Sequence, residues 1–121
     1  MQTQTFDPAA LAHFTGSDNF YRHGLNRRIV YTEGAAYVAE SAGAYWLLDE
    51  IAIAAGHDKR VQREEFQVWK LEVHADKSAT LSCEDGNDNV VFRKSIEFTD
   101  FPAAQITLWQ VGGTILLPSE Y

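Results

Sequence analysis

The sequence predicts an α+β fold, with N-terminal helices packed on one face of a four- to five-stranded antiparallel meander. Three observations carry this expectation. From Phe66 to Leu117, apolar and polar residues alternate with the period of two that marks half-buried strands, interrupted by short polar turns. Between Glu33 and Ala55, apolar residues recur at helical spacing. With 45% hydrophobic residues in 121, there is enough apolar material for the two layers such a fold requires. The chain reads as one domain over residues 1–121, mainly helical over 7–56 and mainly stranded over 66–117, with the polar start 1–5 (MQTQT) flexible.

Asp7-Pro8 opens the first element, because Asp caps orphan backbone donors and proline suits the first helical turn. Ala9–Phe14 follows as a short helix with Leu11 and Phe14 on its apolar side. Thr15-Gly16-Ser17-Asp18-Asn19 is a turn signal. Phe20–Arg28 has no period and reads as irregular, and Arg28–Tyr31 is a short strand candidate. Thr32 begins a second helix over Glu33–Ser41, which Gly43 breaks or kinks. Ala44–Ala55 is the clearest helix. Leu47, Leu48, Ile51 and Ala55 form its apolar stripe, and Gly56 sits where a C-cap glycine belongs. Trp46 and Ile53 widen that stripe, leaving Asp49 and Glu50 as its polar marks, so this helix should be covered on more than one side.

The strand segments are FQVWKLEVH (66–74), ATLSC (79–83), VVFRKSIEF (90–98), ITLWQ (106–110) and TILLP (114–118). If Trp69, Leu71 and Val73 face inward, Ala79, Leu81 and Cys83 match them. Pairing Val73 with Leu81 then closes a hairpin around Asp76-Lys77-Ser78. On the third strand Val90, Phe92, Ile96 and Phe98 share a face, with Lys94 as the exception, and Cys83 pairs with Phe92. An exposed strand edge from Ile106 to Leu117 would favour a homodimer through sheet extension.

Charge and motif content exclude several functions. The net charge is −7, with five bases against ten acids in residues 61–121. The basic groups Arg22/Arg27/Arg28 and Lys59/Arg60/Arg63 are too sparse for a phosphate-binding stripe, so direct nucleic-acid binding is disfavoured. No stretch approaches the ~20 apolar residues of a membrane span, and the start lacks the pattern of a signal peptide. One cysteine leaves no intramolecular disulfide, which suits a cytoplasmic protein.

Cys83 is the obvious nucleophile, yet its inward parity opposes the outward parity of His74, and free cysteine is commonly buried. No catalytic residue is assigned. His13, Asp18 and His23 could meet only if their loop folded back, and the chain has no established zinc motif, so no metal or cofactor is assigned either. Adjacent carboxylates such as Asp49/Glu50 diverge by about 100° on a helix. The plain reading of those two is a salt bridge to a partner such as Arg27 or Arg28, or simple exposure, and the functional one is a tuned or pocket-lining acid. The mixed aromatic, basic and amide segment Thr15–Arg28 is the candidate binding loop. The binding surface expected from sequence comprises Asn19, Tyr21, Arg22, His23, Arg27, Arg28, Asp49 and Glu50.

The blocks LAHFTGSDNFYRH (11–23), YTEGAAYVAESAGAYWLLDEIA (31–52), FQVWKL (66–71) and ITLWQVGGTILLPSEY (106–121) cover most of the chain. With WLLDEI and LLPSEY the more specific, they resemble a small bacterial family of uncharacterised proteins that accompany plasmids, prophages and other mobile elements. The resemblance carries no catalytic residue. It implies an accessory protein of mobile DNA, one that antagonises or modulates a host system. The leading functional expectation is a non-enzymatic module that binds another protein, with aromatics such as Trp46, Trp69 and Trp109 as interface anchors. Two others stand beside it. One is an acidic nucleic-acid mimic built on Glu84, Asp85, Asp88, Glu97 and Asp100; the other is a small ligand-binding protein or enzyme using the 15–28 loop.

Overall fold

The computed structural model describes residues 6–16 and 19–121, so the expected flexible start lies outside the described residues. Its strands are β1 (Phe20–Arg22), β2 (Val30–Thr32), β3 (Phe66–Val73), β4 (Ala79–Glu84), β5 (Val90–Ile96), β6 (Gln105–Val111) and β7 (Thr114–Leu116). Its helices are α1 (Glu33–Ser41), α2 (Tyr45–His57) and the one-turn α3 (Lys59–Gln62). The seven strands form one mixed sheet in the order β1-β2-β7-β6-β3-β4-β5. This overturns the expected four- to five-stranded antiparallel meander under N-terminal helices: the sheet is larger, one pair is parallel, and the helices are few.

Three causes account for the difference. First, β3, β4 and β5 are joined by hairpins, but β6 returns to lie beside β3, which makes a Greek key of β6-β3-β4-β5. The connection after β5 crosses the end of the β3–β4 hairpin. There Thr99 N donates to Lys77 O at 2.8 Å, Val73 N donates to Ala104 O at 2.8 Å, and Phe101 is buried. Second, the segment without period at Phe20–Arg22 is a strand, paired antiparallel with β2 (Tyr21 opposite Tyr31). Third, β2 runs parallel to β7, with Val30 beside Thr114 and Tyr31 beside Ile115. The first expected helix is a 3-10 helix over Pro8–His13, capped by Asp7.

Helix caps explain the other boundaries. Thr32 Oγ1 accepts from Ala35 N at 3.2 Å and starts α1. Gly56 does not cap α2, which runs one residue further. Asp58 follows, and its carboxylate accepts from Arg60 N and Val61 N to open α3 at once. The three helices cover one face of the sheet, where Trp69, Leu71, Leu81, Cys83, Leu108 and Ile115 are buried against Leu47, Leu48 and Ile51.

The inward parity of β3 and β4 is as expected, but their register is shifted by two. Val73 lies opposite Ala79, Leu71 opposite Leu81 and Trp69 opposite Cys83. The loop is shorter than that pairing implies, five residues (74–78), because His74 N donates to Ser78 O while Lys77 takes a positive φ of 70°. A slip of two preserves every side chain's face, whereas a slip of one would invert them all. Cys83 does lie opposite Phe92. Phe98, expected to share that inner face, falls beyond the end of β5 and is exposed. Ile106 to Leu117 offers no free edge for sheet extension, since β6 sits between β3 and β7, and β7 is covered by β2. The open edges are β1 and β5.

The two chain halves are clamped by Glu120, in the 3-10 helix Pro118–Glu120. Its Oε1 accepts from Thr32 Oγ1 at 2.6 Å and from Leu117 N at 2.9 Å, and its Oε2 accepts from Gly34 N at 3.1 Å. The carboxylate therefore satisfies an orphan donor of α1 and sits at the positive end of its dipole. Gly34 leaves it room: a Cβ there would fall 2.4 Å from Glu120 Oε1 and 2.6 Å from Leu117 Cδ1. In an ordinary helix Gly→Ala gains roughly 0.5–1 kcal/mol. Here the carboxylate is pinned by three hydrogen bonds and Leu117 is buried, so Gly34→Ala is expected to destabilise by about 1–3 kcal/mol, the usual cost of overpacking. A urea midpoint at or above that of the parent chain would contradict this.

Candidate functional site

Residues 23–29 form the turn between β1 and β2, and His23 organises it. His23 is buried, and its Nδ1 accepts from both Leu25 N and Asn26 N at 3.1 Å. Two donors on Nδ1 fix the tautomer, so the proton is on Nε2, which donates to Asp49 Oδ1 at 2.8 Å. Asn26 completes the attachment to α2: its Nδ2 donates to Ala52 O at 2.9 Å and its Oδ1 accepts from Arg28 N at 3.2 Å. With both nitrogens engaged, the imidazole has no lone pair to offer a substrate proton. The His23–Asp49 pair is a positioning device for the turn.

The sequence-expected surface is thereby divided. His23 and Asp49 meet, whereas Glu50 points to the other side of α2 and pairs with Lys94 at 2.9 Å. Neither acid pairs with Arg27 or Arg28. Lys94, the exception on its strand face, is explained by that reach to Glu50. Asn19 Nδ2 donates to Glu33 Oε1 at 2.6 Å, and the Arg22 guanidinium donates to Arg27 O. Arg27 is exposed, and Arg28 faces a cleft described below. Asp18 lies outside the described residues; among those described, no three His, Cys, Asp or Glu come together as metal ligands.

Tyr21 and Arg22 sit on the open edge of the sheet. Tyr21 stacks at 5.5 Å on Tyr31, and with Tyr37, Tyr45 and Glu40 these rings line a shallow hollow of about 340 Å³ between the edge and α1. Partial burial and a hydrogen bond to the Glu40 carboxylate push the Tyr45 phenol up from its ordinary value. His23 N donates to Ile29 O. Antiparallel pairs alternate in hydrogen bonding, so the Tyr21–Tyr31 pair is bonded and the backbone groups of Phe20 and Arg22 turn to the open side. No sequence spacing groups Tyr31, Tyr37 and Tyr45 with Tyr21, because only the β1–β2 pairing and the start of α2 gather them.

A larger, polar cleft of about 890 Å³ opens at the other end of α2, between the 25–29 turn, residues 62–65 and the β6–β7 turn. Its floor carries two glutamines on the inward face, Gln67 directly opposite Gln110. Gln67 is saturated: Nε2 donates to Val61 O and Glu64 O, and Oε1 accepts from Trp69 Nε1. Gln110 Oε1 accepts from Gly113 N at 2.6 Å. These polar residues break an otherwise apolar inward pattern, a signal that becomes legible once the register is known.

Cys83 is buried on the inner face and His74 is exposed on the outer face, bonded to Thr80. Burial, with the nearby charges of Glu64 and Asp58, pushes the Cys83 thiol up from 9.0 to about 12. The acids of the expected mimic separate into two groups. Asp85 is occupied by Asn87 N, Asn89 N and Asn89 Nδ2, and Glu84 pairs with Lys70. Glu97 and Asp100 lie past the far end of the seven-residue β5, on the order of 20 Å from that tip.

A model described as a family of unknown function (DUF6876) matches residues 6–121. No curated protein and no solved structure matches.

Two measurements test the local chemistry. His23→Ala removes the acceptor for two backbone donors and is expected to cost about 2–3 kcal/mol. His23→Asn, whose short amide can accept from the same donors, should cost less and retain exchange protection at Leu25 and Asn26. Equal losses in the two variants would refute this role. For Cys83, the folded thiol holds its proton to about 12 while the unfolded one releases it near 9.0. The unfolded state thus binds fewer protons between these values, and stability falls as pH rises, with a ceiling of about 1.4 kcal/mol per pH unit. Cys83→Ala should flatten that alkaline slope in urea titrations; an unchanged slope would count against the buried thiol.

Proposed function

We infer, for a chain that belongs to DUF6876, a family of unknown function, a non-enzymatic module that binds another protein through the open edge of β1. The observation that supports it most directly is an edge strand whose backbone groups face outward beside exposed rings: Phe20 is 56% exposed, Tyr21 44% and Tyr45 45%. An unpaired strand edge can add a strand from a partner, and flanking aromatic side chains provide specificity at low entropic cost. No helix among the described residues is long and apolar enough to cross a membrane. A cytoplasmic location, supported by the lone reduced cysteine, and a bacterial mobile-element setting, supported by the sequence resemblance, complete this reading. The acid mimic receives less support, because its carboxylates are split between two ends of β5 and partly occupied.

Tagged protein, incubated with host lysate and read by mass spectrometry, should retain a partner that two variants lose at least tenfold. Phe20→Pro removes an outward donor at the first position of a strand, where proline is tolerated. Tyr21→Ser/Tyr45→Ser removes the rings. Undiminished capture by both folded variants would sink the edge. Binding lost at high salt would instead favour the acidic mimic, and self-association by light scattering would make the partner a second copy.

A further inference from the structure

We propose that the polar cleft at the C-terminal end of α2 binds a small zwitterion, a free amino acid or short peptide, with its carboxylate on Gln110. This goes beyond the edge-binding reading and does not depend on it, since α2 is 13 residues long and its two ends lie roughly 20 Å apart.

Gln110 is 5% exposed, and its amide orientation is fixed because Oε1 must accept from Gly113 N. Its Nε2 therefore presents two N–H groups with no protein partner among the described residues. The neighbouring Gln67 amide is fully occupied and cannot relieve it. A nearly buried donor pair facing a cleft fits a planar acceptor such as a carboxylate. The walls set the rest of the ligand. Arg28 and Arg63 line the cleft without an ion-pair partner among the described residues, and so do Glu64 and Glu65, with His57 at the helix end. Balanced charges of both signs favour a ligand carrying both, and the two carboxylates disfavour a polyanion such as a nucleotide. The end of α2 adds partial negative charge on the side where an ammonium would lie.

The test is titration of the folded chain, isotopically labelled, with free amino acids and with di- and tripeptides. Acetate and inorganic phosphate serve as control arms. One or more zwitterions should saturably shift the Gln110 side-chain amide resonance and raise Tm. Gln110→Glu keeps the acceptor for Gly113 N but replaces the donors with a carboxylate, so it should fold and bind the same ligand at least tenfold more weakly. Arg28→Gln/Arg63→Gln should weaken binding similarly. Amino acids responding where peptides do not, or the reverse, would identify the source within the class. Acetate or phosphate binding as well as any zwitterion would overturn the proposal. So would unaltered affinity in Gln110→Glu, or no zwitterion shifting the Gln110 amide at millimolar concentration.

Discussion

The fold depends on a short parallel contact between β2 and β7. Only two residue pairs define it, extended by Val30 N donating to Gly113 O at 2.9 Å. Residues 33–113, which include every strand of the Greek key, intervene between its members. Closing so long a loop costs entropy that two ladder pairs do not offset. The missing stabilisation comes from the same junction: Glu120 ties Thr32, Gly34 and Leu117 together where β2 becomes α1 and the chain ends. A charged acceptor with three short donors, partly withdrawn from water, is worth more than ordinary ladder bonds. The β1 edge, the His23 turn and one wall of the cleft all hang from β2, so each inherits its position from this clamp.

His23 is the second anchor, and its chemistry complements the first. Glu120 holds the helix end of β2, while His23 and Asn26 fasten the turn that precedes β2 onto the side of α2. Between them a three-residue strand is held at both ends. This is how a segment with neither β-periodicity nor a long ladder becomes part of a sheet. It also explains why the His23–Asp49 pair looks catalytic in composition and is structural in geometry: the lone pair that a base needs is spent on two backbone donors.

Much of the C-terminal half was legible, and the reasons are local. Alternation in Phe66–Val73 and Ala79–Cys83 gave the correct faces even though the register was off by two, because burial constrains parity far more strongly than hairpin length does. Thr32 and the Leu47–Ile51 stripe likewise placed two helices through caps and periodicity. What remained hidden was non-local. The return of β6 to β3 leaves no trace in either strand's pattern, and Phe20–Arg22 is too short to show a period at all. Of the expected surface, His23 and Asp49 lie in contact, whereas Glu50 turns to Lys94 on another side of α2. Adjacent helical residues diverge too far to serve one surface.

The two glutamines of β3 and β6 show how a sheet face can change character along its length. Trp69 and Leu108 lie opposite each other in the core, and one pleat away Gln67 and Gln110 take the same inward positions. Gln67 is needed there, since it satisfies both the indole of Trp69 and the two carbonyls that end α3 and its following turn. It converts an apolar layer into a polar boundary. Gln110 uses that boundary differently, holding the Gly112–Gly113 turn with its oxygen, where both glycines have positive φ. Its nitrogen is left toward the cleft. A leucine in its place would fill the layer but would release the turn that carries β7 back to β2. The amide is therefore required by the fold, and its unused donors are a by-product that gives the cleft its chemistry.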